Sequence, residues 1–210
     1  MPKYTHDIKD LIWEEDVKAM YDICQNKREA LLLSLCWLTG ARPSELLLLT
    51  TDNFQIDDTH VVIYIKTLKL GAGKEYFSEQ RTLKLSRQIG VNANIYLETV
   101  VRYILEAPRG AKLLDYTSRW AEKVIERLSC GALHKRLTPY HFRHSVLTWL
   151  ARHGATLDQL KHFKGAKTAA SVEPYLSAVP YIIKMENLKR GHSTGKLGLG
   201  EQPTMREASP

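Results

Sequence analysis

The 210-residue chain is poor in cysteine: it has three, Cys24, Cys36 and Cys130, widely spaced and without a CxxC pair. Such a set argues against a disulfide framework, and none of the eight histidines falls at metal-ligand spacing with it, so no zinc site is expected. Cys24 and Cys36 lie in apolar stretches of helical pattern and read as buried thiols. No apolar run approaches the ~20 residues that a membrane-spanning helix needs. The first residues, Met1 to His6, lead into no apolar segment, so the start of the chain is not a secretory signal, and the expected compartment is the cytoplasm. There is no internal repeat.

What is present is the balance of a soluble globular protein, 44% hydrophobic and 25% charged. The length suits one domain with a substantial core and a tail. The net charge of +7 is unevenly spread. Residues 1–60 hold six Lys and Arg against eleven Asp and Glu, whereas residues 61–210 hold twenty-four against twelve. The basic portion suggests a polyanionic partner such as nucleic acid. From charge alone, a solvated basic surface is an equal reading.

The pattern predicts a mainly α chain with a small antiparallel β-sheet, an α+β domain. An amphipathic helix is expected over residues 14–25, acidic at its start, and a buried one over 28–38, capped by Gly40. Pro43 then opens a short helix. Strands are expected at residues 60–66 and 81–85, joined by a long mobile hairpin loop carrying Lys69 and Lys74. Helices follow at 92–106 and 117–129. Thr138-Pro139 then forms a cap and first-turn pair, starting a helix with Phe142, Val146, Trp149 and Leu150 on one apolar stripe. Gly154 ends it. A short helix over 156–163 stops at Gly165, and a last helical region, about 168–188, is broken by Pro174 and Pro180. Residues 191–210 read as a disordered tail.

Three segments offer chemistry. Arg42 sits at a helix start, where free N–H groups, the helix dipole and a guanidinium fork suit a phosphate. Taken alone, it reads more readily as a surface arginine paired with Glu45. Thr138-Pro-Tyr-His-Phe-Arg-His144 places Tyr140 and Arg143 on one helix face beside His141 and His144. Lys164-Gly-Ala166 is a helix stop followed nine residues later by Tyr175.

Together these segments resemble the tyrosine recombinase (phage integrase) family over about residues 12–178. Thr39-Gly-Ala-Arg-Pro-Ser-Glu-Leu46 matches a first box of the form T-G-x-R-x-x-E-L. Thr138-Pro-Tyr-His-Phe-Arg-His144 matches a second box, T-P-H-x-x-R-H, with one change. Lys164-Gly-Ala166 and Tyr175 align without a gap to a third, L-G-H and its nucleophilic tyrosine. Lys66-Thr67 and Arg81-Thr82 match the strand ends between the first two boxes.

The resemblance implies a catalytic domain over residues 1–190, without the separate N-terminal domain that closes the family's clamp around DNA. It implies site-specific cutting and rejoining of double-stranded DNA through a 3′-phosphotyrosine, without ATP or metal, by a dimer or tetramer assembled on DNA. Tyr175 is the implied nucleophile, Arg42 and Arg143 the phosphate clamp, and Lys66 the general acid, with Lys69 and Lys74 as alternatives. Lys69, Lys74 and Lys164 are further DNA contacts, and His141 and His144 are auxiliary candidates. Two positions depart from the pattern: Tyr140 replaces the second-box histidine and Ala166 the third-box histidine or tryptophan. Tyr140 then positions a phosphate oxygen rather than acting as a base. The gap at Ala166 is assigned to Lys167, with Lys164 and His162 as alternatives. Two competing functions are a type IB topoisomerase-like nicking and closing activity and a DNA-binding module that has lost catalysis.

Overall fold

The computed structural model of the chain describes residues 11–70, 76–87 and 94–191. Helix α1, Glu14–Asp22, begins with three acidic residues at the positive end of its dipole and buries Val17 and Met20. It stops short of the expected residue 25 because Asn26 caps the next helix, accepting from the Arg28 and Glu29 N–H groups at 3.1 Å each. Helix α2, Lys27–Thr39, is buried on most sides, with Leu31, Leu32, Leu33, Leu35 and Cys36 inside. Gly40 ends it at φ +52°, and the four-residue α3, Pro43–Leu46, follows at once.

The sheet has three antiparallel strands in chain order: β1, Phe54–Ile56; β2, His60–Leu70; and β3, Tyr76–Ser86. The short β1 has no counterpart in the sequence reading. The hairpin departs from the expected long loop: β2 and β3 pair from His60↔Ser86 to Leu70↔Tyr76. Lys69 is therefore a strand residue opposite Phe77, while Lys74 and the tail beyond Gly191 lie outside the described residues. Main-chain pairing sustains the ladder well past the apolar run that the sequence marks, through Thr67↔Glu79, Leu68↔Ser78 and Lys69↔Phe77. Along β2, Val61, Ile63, Ile65 and Thr67 are buried and Lys66 is exposed.

Helices α4, Ile95–Glu106, and α5, Ser118–Leu133, close the main core around α2. Helix α6, Pro139–Arg152, lies between this core and a second cluster. It gives Phe142 to the first and Leu147 and Ala151 to the second. Enclosure on two sides explains why its burial is not the single expected stripe: Trp149 is 39% exposed and stacks on His153, with centroids 4.0 Å apart. Helix α7, Leu157–Lys164, is capped by Thr156 and stopped by Gly165 at φ +64°. A 3-10 turn, Ala169–Ser171, leads to α8, Glu173–Gly191. Pro174 falls in the first turn of α8, where a missing N–H costs little. Pro180 does not break the helix as expected; α8 continues through it, anchored on either side by buried Tyr175 and Ile182.

Gly165 ties α7 to the hairpin. A Cβ there would lie 2.8 Å from Thr67 Oγ1 and 3.3 Å from Arg81 Nη1, in a backbone conformation that L side chains rarely adopt. Gly165→Ala should destabilise the fold by about 1–2 kcal/mol from the conformation alone, with more from the contact. Urea unfolding monitored by circular dichroism measures it; an unchanged midpoint contradicts the close approach.

Candidate active site

The site is built around one carboxylate. Glu45, in α3, has no exposed side-chain surface. Its Oε1 accepts from Arg42 Nη1 at 2.7 Å. Its Oε2 accepts from the Arg42 backbone N–H at 3.0 Å and from Arg81 Nη2 at 2.9 Å. Arg143 Nη1 stands 3.9 Å from the same oxygen. Burial works to raise the Glu45 pKa, but the hydrogen bond and charge of Arg81, the Arg42 N–H and the charge of Arg143 outweigh it and hold the carboxyl below its ordinary range.

Two of these arginines are closed in and one is open. Arg81 donates to Thr67 Oγ1 at 2.7 Å and is 3% exposed. Arg143 donates to the Gly40 carbonyl at 2.8 Å and to the Lys164 carbonyl, so its guanidinium joins the turn after α2 to the end of α7. Burial and the neighbouring Arg42 and Arg81 push its pKa down to about 10, against the pull of Glu45. Arg42 keeps 32% of its side-chain surface exposed and is the guanidinium open to an incoming anion. The pairing of Arg42 with Glu45 is thus real, but its partner is buried, which a surface ion pair would not be.

Gly40 makes the approach of the first two boxes possible. A Cβ there would lie 3.2 Å from the Phe163 ring, 3.5 Å from Val146 Cβ and 3.6 Å from Arg143 Cα. Successive residues of α6 then serve three different surroundings, because each is turned by about 100° from the last. Phe142 enters the core, Arg143 reaches Glu45, and His144 meets Tyr175.

Tyr175 is 2% exposed. Its hydroxyl lies 2.9 Å from His144 Nδ1, with the rings tilted by 35° and their centroids 5.7 Å apart. Lys164 Nζ stands 5.0 Å from the Tyr175 ring centroid and donates to the Ser171 carbonyl. Burial, and then the charges of Arg143 and Arg42, bring the Lys164 pKa down to about 8.

The structure therefore gathers Arg42, Arg143, His144, Lys164 and Tyr175. The other sequence candidates lie elsewhere or on the rim. Tyr140 is 49% exposed. His141 Nδ1 accepts the Thr138 N–H at 3.0 Å, an N-terminal cap of α6. Lys66 is exposed between buried Ile65 and Thr67, so strand alternation sets it on the sheet face away from Arg81. Lys167 is exposed just beyond Gly165, and Ala166 is half-buried. His162 Nε2 lies 2.9 Å from the Thr82 carbonyl, a link from α7 to β3. The role of Arg81 is absent from the sequence reading. Its signal is the alternation Arg81, Leu83, Leu85, which sets a charge on the inward face of a strand. Among the described residues, no cluster of His, Cys, Asp and Glu is arranged to hold a metal ion, and no helix is long and apolar enough to cross a membrane.

The family model described as the phage integrase family matches residues 11–179. Among curated proteins, the chain is 24% identical over 193 residues to a tyrosine recombinase XerC of Bacillus pumilus, covering 83% of this chain and 59% of the relative. It is 24% identical over 189 residues to a tyrosine recombinase XerD of Staphylococcus epidermidis, covering 83% and 60%. The chain thus spans about three fifths of the length of these relatives. In fold it is similar to the XerH site-specific recombinase bound to difH substrate, with TM-score 0.60, 20% identity, and coverage of 79% of this chain and 49% of that one. It is also similar to the catalytic domain of bacteriophage HP1 integrase, with TM-score 0.54, 18% identity, and coverage of 89% and 98%.

Removing the Glu45 charge leaves Arg81 buried without its carboxylate. Glu45→Gln should cost about 3–5 kcal/mol, the range for breaking a buried pair. The lowered carboxyl pKa also sets a sign. The unfolded chain binds this proton at higher pH than the folded one, so the contribution is present above the ordinary carboxylate range and is lost as pH falls through the folded value. Urea unfolding of parent and variant at pH 7 and at successively lower pH measures both. The two should converge as the parent carboxyl becomes protonated; a constant difference contradicts the charge-based role.

Proposed function

The chain belongs to the phage integrase family, whose model spans residues 11–179, and from that premise we propose that it cuts and rejoins duplex DNA at specific sites through a covalent phosphotyrosine. The observation that carries this reading is the convergence of Arg42 and Arg143 on buried Glu45, with Tyr175 linked to Arg143 through Lys164, whose carbonyl accepts from Arg143 and whose Nζ lies over the Tyr175 ring. Two fixed guanidiniums, the open Arg42 by direct contact and the enclosed Arg143 through its charge, suit the non-bridging oxygens of a phosphodiester, where charge grows as a fifth oxygen approaches phosphorus. Their fixed placement means that little reorganisation is needed when that charge develops.

In this mechanism Tyr175 Oη attacks the phosphorus and the bond to the 5′-oxygen breaks. The products are a 3′-phosphotyrosine and a 5′-hydroxyl, and the ester keeps the energy needed for rejoining. The tyrosine proton passes to His144 Nδ1, already within hydrogen-bond reach of the hydroxyl. That assignment frees Tyr140, exposed at the start of α6, to donate a hydrogen bond to phosphate. A hairpin lysine supplies the proton to the departing 5′-oxygen: Lys66, Lys69 or Lys74. A 5′-hydroxyl from a second strand then attacks the phosphotyrosine, which restores Tyr175 and closes the backbone. Exchange between two duplexes calls for several copies of the chain on DNA, a dimer or tetramer. The curated relatives are named recombinases, which favours strand exchange over simple nicking and closing.

Two measurements test the reading. Nicked suicide duplexes, drawn from the DNA flanking the gene and from a randomised pool, should give a covalent protein–DNA band on a denaturing gel. Tyr175→Phe should abolish the band while changing DNA affinity little, since only a hydroxyl is lost. An adduct that survives in Tyr175→Phe assigns the nucleophile elsewhere. Affinity should also be strongly salt-dependent: a protein neutralising ~6 phosphates loses roughly a thousandfold between about 50 and 200 mM salt. A flat response in fluorescence anisotropy removes DNA as the partner.

A further inference from the structure

We propose that Lys164 is a third cationic donor to the scissile phosphate, filling from the end of α7 the role that Ala166 cannot. The proposal rests on the strand-cutting reading above and adds a residue to it.

The backbone at Lys164 is fixed by the site itself. Its carbonyl accepts from Arg143 Nη2, and Gly165 follows in the left-handed conformation, so the chain turns away immediately after it. The side chain is half-buried and runs inward, with Nζ over the Tyr175 ring and its hydrogen bond made to the Ser171 carbonyl. Lys164 Nζ feels Arg143 and Arg42 as like charges. Among the described residues no carboxylate pairs with it: Glu45 is already engaged by Arg42 and Arg81 and faces Arg143. Lys164 thus lies close enough to Arg143 and Arg42 to feel their charge, while the one buried carboxylate is engaged by guanidiniums alone. A partly dehydrated ammonium held against a neutral carbonyl, beside two guanidiniums, is an arrangement that an anion relieves.

The chemistry of the chain fits the same place. In the family pattern, the position after the glycine carries a side chain that donates to a phosphate oxygen, and here that position is Ala166. The position before the glycine is apolar in the pattern and is Lys164 here. Lysine has a long stem and three donors that rotate freely, so Nζ can leave Ser171 and follow a phosphate oxygen without moving the backbone. Lys167 lies on the other side of the Gly165 turn and is exposed, so it meets DNA from the rim.

The experiment has two arms, both on the full chain. In the first, lysine Cε is labelled with carbon-13 and the Lys164 resonance is assigned by its absence from Lys164→Arg. Its titration midpoint is followed with inorganic phosphate and with chloride at equal ionic strength. Phosphate should raise the midpoint by about one unit or more, as an opposite charge at contact distance does, and chloride should not. A midpoint that phosphate leaves in place overturns the proposal, whether or not the chain cleaves DNA.

In the second arm, adduct formation is timed on suicide duplexes with either a normal scissile phosphate or a methylphosphonate, which lacks one charged oxygen. Lys164→Met should slow cleavage of the normal phosphate by about a hundredfold, the lower range for losing one oxyanion donor. Lys164→Arg should retain most of the rate. On the methylphosphonate, the gap between parent and Lys164→Met should close to within a few fold. A gap of equal size on both substrates means that Lys164 only holds Ser171 and Tyr175 in place, and overturns the proposal. So does a loss produced by Lys167→Ala and not by Lys164→Met. If the parent chain forms no adduct, the strand-cutting reading fails instead, and the first arm alone decides phosphate binding at Lys164.

Discussion

A single carboxylate with no contact with water organises this protein. Glu45 would be expensive to bury alone, and the cost is met only because Arg42 and Arg81 both donate to it directly and Arg143 stands close by. Through these partners it reaches the turn after α2, the β3 strand and, by way of the Arg143 guanidinium, the end of α7. Segments far apart in the chain are therefore held in register by one charge. The same arithmetic leaves the site unfinished: three guanidiniums share one carboxylate, so the excess positive charge is fixed in place before any substrate arrives. Electrostatic preorganisation of this kind needs no reorganisation when negative charge appears.

The two box glycines complete that arrangement from the backbone side. Gly40 lets the α2–α3 turn lie against α6, where its carbonyl meets Arg143. Gly165 lets the end of α7 lie against Thr67 and Arg81. Both adopt left-handed backbone, and both touch residues that hold the site rather than the core alone. Their place in the boxes follows from packing against the arginines as much as from helix termination.

Features written in local chemistry are legible in the sequence: the caps at Gly40, Thr138-Pro139 and Gly165, and the interruption of the last helical region near Pro174. Features set by enclosure are not. The spacing of Arg42 and Glu45 suggests their pairing, but only the assembled sheet and α6 decide that the carboxylate is buried. Arg81 reads as a strand start because its partner, Glu45, is thirty-six positions away. Trp149 fits a helical stripe yet faces outward, because α6 is covered on two sides and presents a different edge to water. The hairpin exceeds its predicted length because ladder pairing continues through polar positions. That extension moves Lys69 from a loop to a strand and sets Lys66 on a face that periodicity alone leaves open.

The burial of Tyr175 has a consequence for latency. With its ring almost wholly enclosed and its hydroxyl engaged by His144, the phenolic oxygen is shut away from anything that merely brushes the surface. Bringing it to the surface means moving the first turn of α8 out of the second cluster. The exposed fraction is then set by the stability of that local packing, and the apparent strength of any interaction that needs it is reduced by the same fraction. How often Tyr175 is exposed is thus set by how well five side chains pack: Leu147, Ala151, Leu160, Val172 and Tyr175 itself.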